Sequence, residues 1–239
     1  EDGDPTPKIS VHVFKSREEY LKLGKGPPVE WSGGHFTGDS VETFVGGVTG
    51  AETVRAMYGT LFHEAAHQFV SLTGRGGVPG WLNEAYASFF EGCTILSNGQ
   101  VRWNEVANHR LFPVAARMEK GWMDDHADGV RDESGEWASP ERAPTFRILV
   151  ENEYQWGPPW YAPTWAVVYF LYNYRDSDSG QPVYRDALHE YYLSGAGHQG
   201  RDRRVPHFES IVLQAKLSPV SSIDELDAIW RSWIIDLRD

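Results

Sequence analysis

Two histidines lie four residues apart in the segment His63-Glu64-Ala65-Ala66-His67, and a glutamate follows the first of them. The apolar residues around this segment predict one long helix over residues 52–72. Positions i and i+4 share a helix face, so both imidazoles can reach one metal ion while Glu64 points to one side of it. The alternative is that both histidines simply bond to backbone groups in a core helix. Burying three polar side chains without partners is costly, so the pattern favours a metal site.

A catalytic zinc site usually has three protein ligands and one open position for water. One known continuation of the pattern needs a glycine and then a third histidine shortly after the second one, but Val70 and Thr73 occupy those positions. Glu84 instead follows His67 by 17 residues, beyond a glycine-rich turn and at the start of the next predicted helix. Two antiparallel helices joined in this way can bring Glu84 back opposite both histidines. Since two histidines and a glutamate form a known catalytic zinc set, the sequence predicts Zn²⁺ on His63, His67 and Glu84.

The segments HEAAH and WLNEAYASFFE together resemble the gluzincin zinc metallopeptidases, in the aminopeptidase-type form HExxH followed by WLxEGxAxxxE. This resemblance implies a zincin-like fold, one Zn²⁺ per chain with Glu84 as the third ligand, and hydrolysis of peptide bonds. It also implies that Glu64 is the general base acting on a zinc-bound water. The chain departs from the family pattern in three ways: Ala85 replaces the usual glycine, the two motifs lie closer together, and the exopeptidase signature GAMEN is absent. The order of elements also resembles a compact, largely uncharacterised group of gluzincin-like domains found in larger bacterial proteins.

Two further residues are candidates near this predicted centre. The segment 160–171 is similar to a helix of the same family whose leading tyrosine donates a hydrogen bond to the oxyanion, and that tyrosine corresponds to Tyr161. The alternative is that Tyr161 only packs among neighbouring tryptophans. Glu91 lies two helical turns beyond Glu84 on the same face, so it can hold a zinc-bound histidine by its second ring nitrogen. The alternative for Glu91 is a solvated carboxylate.

Strands are predicted early in the chain and helices afterwards, which favours an α+β fold with a small N-terminal sheet packed on the helix that carries the two histidines. We expect one domain over residues 1–239, with a tail at 1–7 and an exposed excursion at 122–144. The strand over residues 41–45 is expected to be a sheet edge that pairs with an extended peptide. The predicted elements are a strand at 8–14, a capped helix at 16–23, a loop at 24–38, a strand at 41–45, helices at 52–72, 82–96 and 164–174 (the last preceded by Pro163), and a capped helix from Ser222.

Composition narrows the class of partner. The chain has 22 Lys and Arg against 34 Asp and Glu, a formal net charge of −12. This charge argues against a non-specific binder of nucleic acid or of anionic membranes, which needs a cationic face. No apolar run approaches the ~20 residues that a membrane-spanning helix needs. The one cysteine, Cys93, excludes an intramolecular disulfide. Because the chain starts at Glu1, we expect any signal peptide to be already removed. The compartment is left open, with a secreted or periplasmic location favoured over the cytoplasm.

These observations predict a zinc-dependent hydrolase whose partner is a peptide or protein substrate. Two other classes stay open. One is a catalytically inactive zincin-like domain that binds a protein or a glycan through the tryptophan-rich segment 156–165. The other is a helical interaction domain without metal. The presence of Glu64 beside both histidines favours the enzyme, since structural zinc needs no general base.

Overall fold

The computed structural model describes residues 8–25, 33–46, 51–74, 77–123, 135–137, 140–154 and 156–239, with the backbone alone for residues 51–55. Within these residues the fold is α+β and mainly helical, as the sequence predicts. The predicted tail at 1–7 and residues 124–134 of the predicted excursion lie outside the described residues. The strands are β1 (Ser10–Phe14), β2 (Gly34–Phe36), β3 (Ser40–Phe44), β4 (Thr94–Ile95) and β5 (Val101–Arg102). The helices are α1 (Arg17–Leu23), α2 (Ala51–Thr73), α3 (Gly80–Phe90), α4 (Asn108–Glu119), α5 (Phe146–Glu151), α6 (Pro158–Asn173), α7 (Arg185–Leu193), α8 (Arg201–Val212) and α9 (Ile223–Arg238).

The chain divides into two compact units, one formed by Glu1–Phe69 with Phe90–Glu105 and the other by Val70–Phe89 with Val106–Asp239. The first unit holds a three-stranded sheet in the order β1-β3-β2, in which β1 runs parallel to β3 and β2 runs antiparallel to it. Strand β3 is therefore central, and the prediction that it is an edge available to a peptide is wrong. The sequence predicts one domain over the whole chain, and the division into two compact units does not test that prediction.

Strand β2 lies inside the segment that the sequence predicts to be a loop. Gly34 pairs with Thr43 of β3, and a Cβ atom at Gly34 would lie 2.5 Å from the backbone oxygen of Glu42. The approach of the two backbones therefore admits only glycine at this position. Gly34 suggested a loop in the sequence, but the pairing of β2 with β3 requires a glycine there. Strand β2 covers the edge of β3 that the sequence predicts to be free.

A buried carboxylate ties helix α1 to this sheet. The Glu42 carboxylate accepts a hydrogen bond of 2.9 Å from the Lys25 backbone N–H, and its Oε2 lies 3.2 Å from His35 Nε2. The Tyr20 hydroxyl lies 2.6 Å from Nδ1 of the same imidazole. Because a buried carboxylate is costly unless donors surround it, these contacts hold the end of α1 against β2 and β3. The predicted cap of α1 is confirmed, since the Glu19 backbone N–H donates to Ser16 Oγ.

Helix α3 ends at Phe90, six residues before the predicted end at Leu96. The chain then forms a hairpin of β4 and β5, closed by the Leu96 backbone N–H donating to the Gln100 carbonyl at 2.8 Å. Gly99 has a φ of +80°, which suits the last position of such a three-residue hairpin loop. The pair Asn98-Gly99 is a recognised hairpin signal, and it predicts the turn better than helix periodicity does.

The second unit is built around helix α6, which is buried over most of its circumference. Its own large aromatic side chains Trp160, Trp165 and Phe170 are fully buried. Three other helices of the unit, α5, α8 and α9, contribute the fully buried Phe146, Phe208 and Trp230. A helix that is apolar all round belongs in a core. The tryptophans Trp160 and Trp165 are therefore core residues and do not form an exposed platform for a partner.

Helix α6 begins at Pro158, five residues before the position that the sequence predicts for its first turn. Prolines are tolerated in a first turn because the N–H groups there have no helical partner. Pro163 lies deeper in the helix and cannot donate to the carbonyl of Pro159. The Arg117 side chain of α4 donates to that carbonyl instead, at 2.9 Å. Burial lowers the pKa of this guanidinium, which is the cost of placing it inside the unit.

The ends of the predicted excursion at 122–144 are not exposed. The Trp122 ring stacks on Trp230 with centroids 5.8 Å apart, and Trp122 forms a β-bridge with Ala143. Met123 and Ala143 are both buried. The expectation that this segment is exposed is therefore wrong at both of its ends. It was based on the acidic residues in the middle of the segment, whereas apolar residues at the two ends pack into the unit.

Helix α9 begins with the predicted cap, where Ser222 accepts a hydrogen bond from the Glu225 backbone N–H. Its buried stripe includes one acid, Asp227, which accepts a 2.7 Å hydrogen bond from the Phe146 backbone N–H at the start of α5. Burial raises the pKa of Asp227 to about 7, and the neighbouring charge of Asp224 adds to the increase. Asp227 thus joins α9 to α5, but the burial of its carboxylate costs stability when the group is charged.

We predict that Asp227→Asn makes the protein more stable at pH 8, by roughly 1–3 kcal/mol. The asparagine keeps an acceptor for Phe146 and removes the buried charge. The ordinary pKa of an aspartate is 3.8, whereas that of Asp227 in the folded protein is about 7. At pH values between these two, the folded protein binds the Asp227 proton more tightly than the unfolded chain does. The stability that this proton confers is complete below the ordinary pKa and is lost as the pH rises through 7.

Urea unfolding at pH 5 and pH 8, with a chelator present throughout, measures this effect. The advantage of Asp227→Asn should shrink at pH 5, where much of the parent is already protonated. Asp236→Asn changes an exposed aspartate of the same helix and serves as the control. An equal advantage at both pH values would show that the charge of Asp227 is not what costs stability.

Candidate metal centre

Helix α2 carries three of the predicted centre residues and orients them. His63 and Glu64 are buried, with 8 % and 5 % of their surfaces exposed, and His67 is half-buried. The centroids of the two imidazole rings lie 4.8 Å apart with their planes at 81°, so both rings leave the same side of the helix. The i, i+4 spacing thus produces the shared face that the sequence predicts.

The third predicted ligand lies with the two histidines. One ligand atom each from His63, His67 and Glu84 all lie within 4.8 Å of one another. Zinc binds such atoms at ~2.0–2.2 Å, so donors around one tetrahedral ion lie about 3.4 Å apart. A cluster of this size is therefore compatible with one tetrahedral ion. Two imidazoles and a carboxylate also have the ligand chemistry that suits zinc.

Glu91 approaches His63 from the other side of the ring. His63 Nδ1 and Glu91 Oε1 lie 2.8 Å apart, and the Glu91 side chain is only 9 % exposed. This contact agrees with the predicted position of Glu91 and not with a solvated carboxylate. When Nδ1–H donates to Glu91, the lone pair of Nε2 is left to face a metal ion. A carboxylate bonded to a ligand histidine is the usual means of fixing its tautomer and orientation.

The glycine-rich turn between α2 and α3 fixes the start of α3 and hence of Glu84. The Gly74 backbone N–H donates to the Val70 carbonyl, and the Gly77 N–H donates to the Gly74 carbonyl, each at 2.8 Å. A Cβ atom at Gly74 would lie 2.4 Å from the side chain of Val78, so no larger residue fits there. Trp81 at the start of α3 is fully buried and anchors the helix in its unit.

Tyr161 lies in the first turn of α6 and is half-buried. Its ring packs edge-on against Trp156 with centroids 5.2 Å apart, and the Arg110 guanidinium lies 4.9 Å from its centroid. These contacts are the ones that the packing interpretation expects. A hydrogen bond from Tyr161 to an oxyanion stays a prediction.

Sequence reasoning missed Tyr154, which precedes α6. Its hydroxyl is buried, and burial together with the charge of Glu84 raises its pKa well above the ordinary value for tyrosine. It follows Asn152, whose left-handed φ of 54° ends α5. No spacing relative to the histidine pair marks Tyr154, because the turn at Asn152 and the packing of α6 decide where its side chain lies.

The fold and the donor set define an α+β, mainly helical protein with a His-His-Glu cluster built on consecutive helices. The chain belongs to the family described as "Protein of unknown function (DUF1570)", whose model matches residues 57–181 and so covers more than half of the chain. That match contains the three donors of the cluster together with Glu91, Tyr154 and Tyr161. No curated protein and no solved structure matches the chain. In the part that the structure describes, no helix has both the length and the apolar character to cross a membrane.

We predict that Glu91→Ala weakens zinc binding by about 10- to 100-fold, because His63 loses the acceptor that fixes its tautomer. Glu91→Gln should lose less, since its amide oxygen can still accept the same hydrogen bond. Zinc titration in competition with a coloured chelator measures both dissociation constants.

Two variants bracket this measurement. His63→Ala removes a ligand and should abolish tight binding, whereas Glu190→Ala changes an exposed glutamate of α7 and should leave binding unchanged. If Glu91→Ala binds zinc as tightly as the parent does, the contact between Glu91 and His63 has no role in the metal centre.

Proposed function

We propose that this protein is a zinc-dependent hydrolase of peptide bonds with a zincin-like fold. The observation that carries the proposal is the grouping of His63, His67 and Glu84 within 4.8 Å, with Glu64 buried on the same turn of helix as the histidines. The gluzincin pattern of the sequence supports it. A structural metal site needs the donors but has no use for Glu64.

His63, His67 and Glu84 would hold one Zn²⁺ per chain. When bound, zinc supplies Lewis acidity, which polarises a carbonyl group and lowers the pKa of a bound water to ~7. The protein's part is to keep the three donors deprotonated and oriented. Glu91 orients His63 by accepting a hydrogen bond from its Nδ1–H group.

Glu64 is the proposed general base. Its carboxylate would take the proton from the attacking water and return it to the nitrogen of the leaving amine. Glu64 is 5 % exposed, so bulk water screens the charge of its carboxylate only weakly. Its position between two histidines of one helix keeps it close to the reacting atoms.

Tyr161 is the proposed donor to the developing oxyanion. A phenol with an ordinary pKa near 10 keeps its proton at neutral pH and can donate it in a hydrogen bond. The packing of Tyr161 against Trp156 and beneath Arg110 would hold the ring in one orientation. The competing function, an inactive domain that binds a partner through residues 156–165, is disfavoured because Trp160 and Trp165 are buried.

The test is cleavage of a mixed peptide library by the zinc-loaded protein, with and without a chelator. We predict chelator-sensitive cleavage that falls by about 10²–10⁴-fold in Glu64→Gln, since the base is lost while the shape of the side chain is kept. The zinc content of Glu64→Gln should match that of the parent. Glu190→Gln, at an exposed position of α7, is the matched control. Cleavage by Glu64→Gln at the parent's rate would overturn the mechanism, and zinc binding without any cleavage would favour the inactive domain.

A further inference from the structure

Tyr154 is held rigidly in a small aromatic stack. Its ring lies face to face with Trp160, with centroids 3.8 Å apart and planes at 21°, and Trp156 lies 6.2 Å away. Trp160 itself is fully buried in the core. The direction of the Tyr154 hydroxyl is therefore set by the fold and not by solvent.

The Tyr154 hydroxyl is buried and makes no hydrogen bond to any residue of the protein, within the ranges that the structure describes. Other tyrosines of the described chain do have partners: the hydroxyl of Tyr184 lies 3.1 Å from Ser218 Oγ, and that of Tyr192 lies 2.6 Å from Thr73 Oγ1. Leaving a buried hydroxyl unpaired costs roughly 1–3 kcal/mol. A buried hydroxyl without a partner calls for an explanation, and a partner that binds later is one such explanation.

The charged group that acts on Tyr154 is the Glu84 carboxylate, whose charge adds to burial in raising the tyrosine pKa. The packing of the backbone agrees with this, because a Cβ atom at Gly80, the first residue of α3, would lie 3.9 Å from the Asn152 side-chain nitrogen. The segment that leads to Tyr154 thus runs beside the first turn of α3, and Glu84 follows one turn later. The phenol keeps its proton and is carried by a segment that runs beside the helix of Glu84.

We propose that Tyr154 is a positioning residue for Glu84, whose hydroxyl donates a hydrogen bond to the Glu84 carboxylate when that carboxylate holds a metal ion. A carboxylate has about four acceptor positions, and coordination to an ion uses one of them. The hydrogen bond would fix the orientation of Glu84 as Glu91 fixes that of His63. This inference rests on the proposed metal centre and gives Tyr154 no contact with substrate.

The test compares zinc dissociation constants of the parent, Tyr154→Phe and Tyr184→Phe, measured on the full chain by competition with a chelator. Loss of a hydrogen bond to a metal ligand typically weakens binding by 10–100-fold, and we expect about that loss in Tyr154→Phe. Tyr184→Phe removes a buried hydroxyl that bonds to Ser218, so it should leave zinc affinity within about twofold of the parent.

Unfolding without metal separates positioning from packing. Tyr154→Phe keeps the stacked ring and removes an unpaired buried hydroxyl, so the metal-free variant should be at least as stable as the metal-free parent. A packing role predicts the reverse, lower stability with unchanged affinity. In a Glu84→Ala background the further change Tyr154→Phe should have no effect on the remaining zinc affinity, because the acceptor that it orients is gone.

The outcomes are distinct. Parent protein that binds zinc, with Tyr154→Phe binding it equally well, overturns the role of Tyr154 and leaves the metal centre intact. An equal loss of zinc affinity in Tyr154→Phe and Tyr184→Phe would also overturn it, since the effect would then be general to buried tyrosines. Parent protein that binds no zinc overturns both this inference and the proposed function.

Discussion

Three metal-type donors, those of His63, His67 and Glu84, lie within 4.8 Å of one another in a partly buried position, and much of the local structure serves to keep them there. Polar groups gathered away from water are costly unless something binds them together. Helix α2 supplies two of the donors through its own periodicity. The third depends on where α3 begins, and so on the tight glycine turn and on the burial of Trp81.

Three acids with little exposed surface have specific donors in this fold. Glu42 receives the Lys25 backbone N–H, Glu91 contacts His63, and Asp227 receives the Phe146 backbone N–H. In each case the acid joins elements that are distant in sequence. Removal of the donor would leave a buried charge, which destabilises more than the contact itself stabilises. These three contacts therefore help to hold the elements of the fold in place. The contact between Glu91 and His63 also orients a residue of the metal centre.

Local signals in the sequence predict much of this structure. The cap at Ser16, the cap at Ser222 and the helical spacing of the histidines each act within one or two turns, and all three are confirmed. Helical spacing from Glu84 predicted that Glu91 holds a ligand histidine, and the structure shows its contact with His63, 28 residues away.

Features that depend on distant residues were not predictable in this way. The sequence did not predict strand β2, because Gly34 suggested a loop. Position 34 must be a glycine because the backbone of β3 lies so close to it. The early start of α6 depends on Arg117, which satisfies the carbonyl that Pro163 cannot. Tyr154 carries no spacing signal, because its position comes from a turn and an aromatic stack.

The most direct test of the central claim is diffraction from crystals of the zinc-loaded protein, collected on both sides of the zinc absorption edge. We predict one anomalous peak per chain, with His63, His67 and Glu84 as its protein ligands at ~2.0–2.2 Å. A zinc-loaded crystal with the peak at other residues, or with none at this cluster, would contradict the assignment of the metal centre.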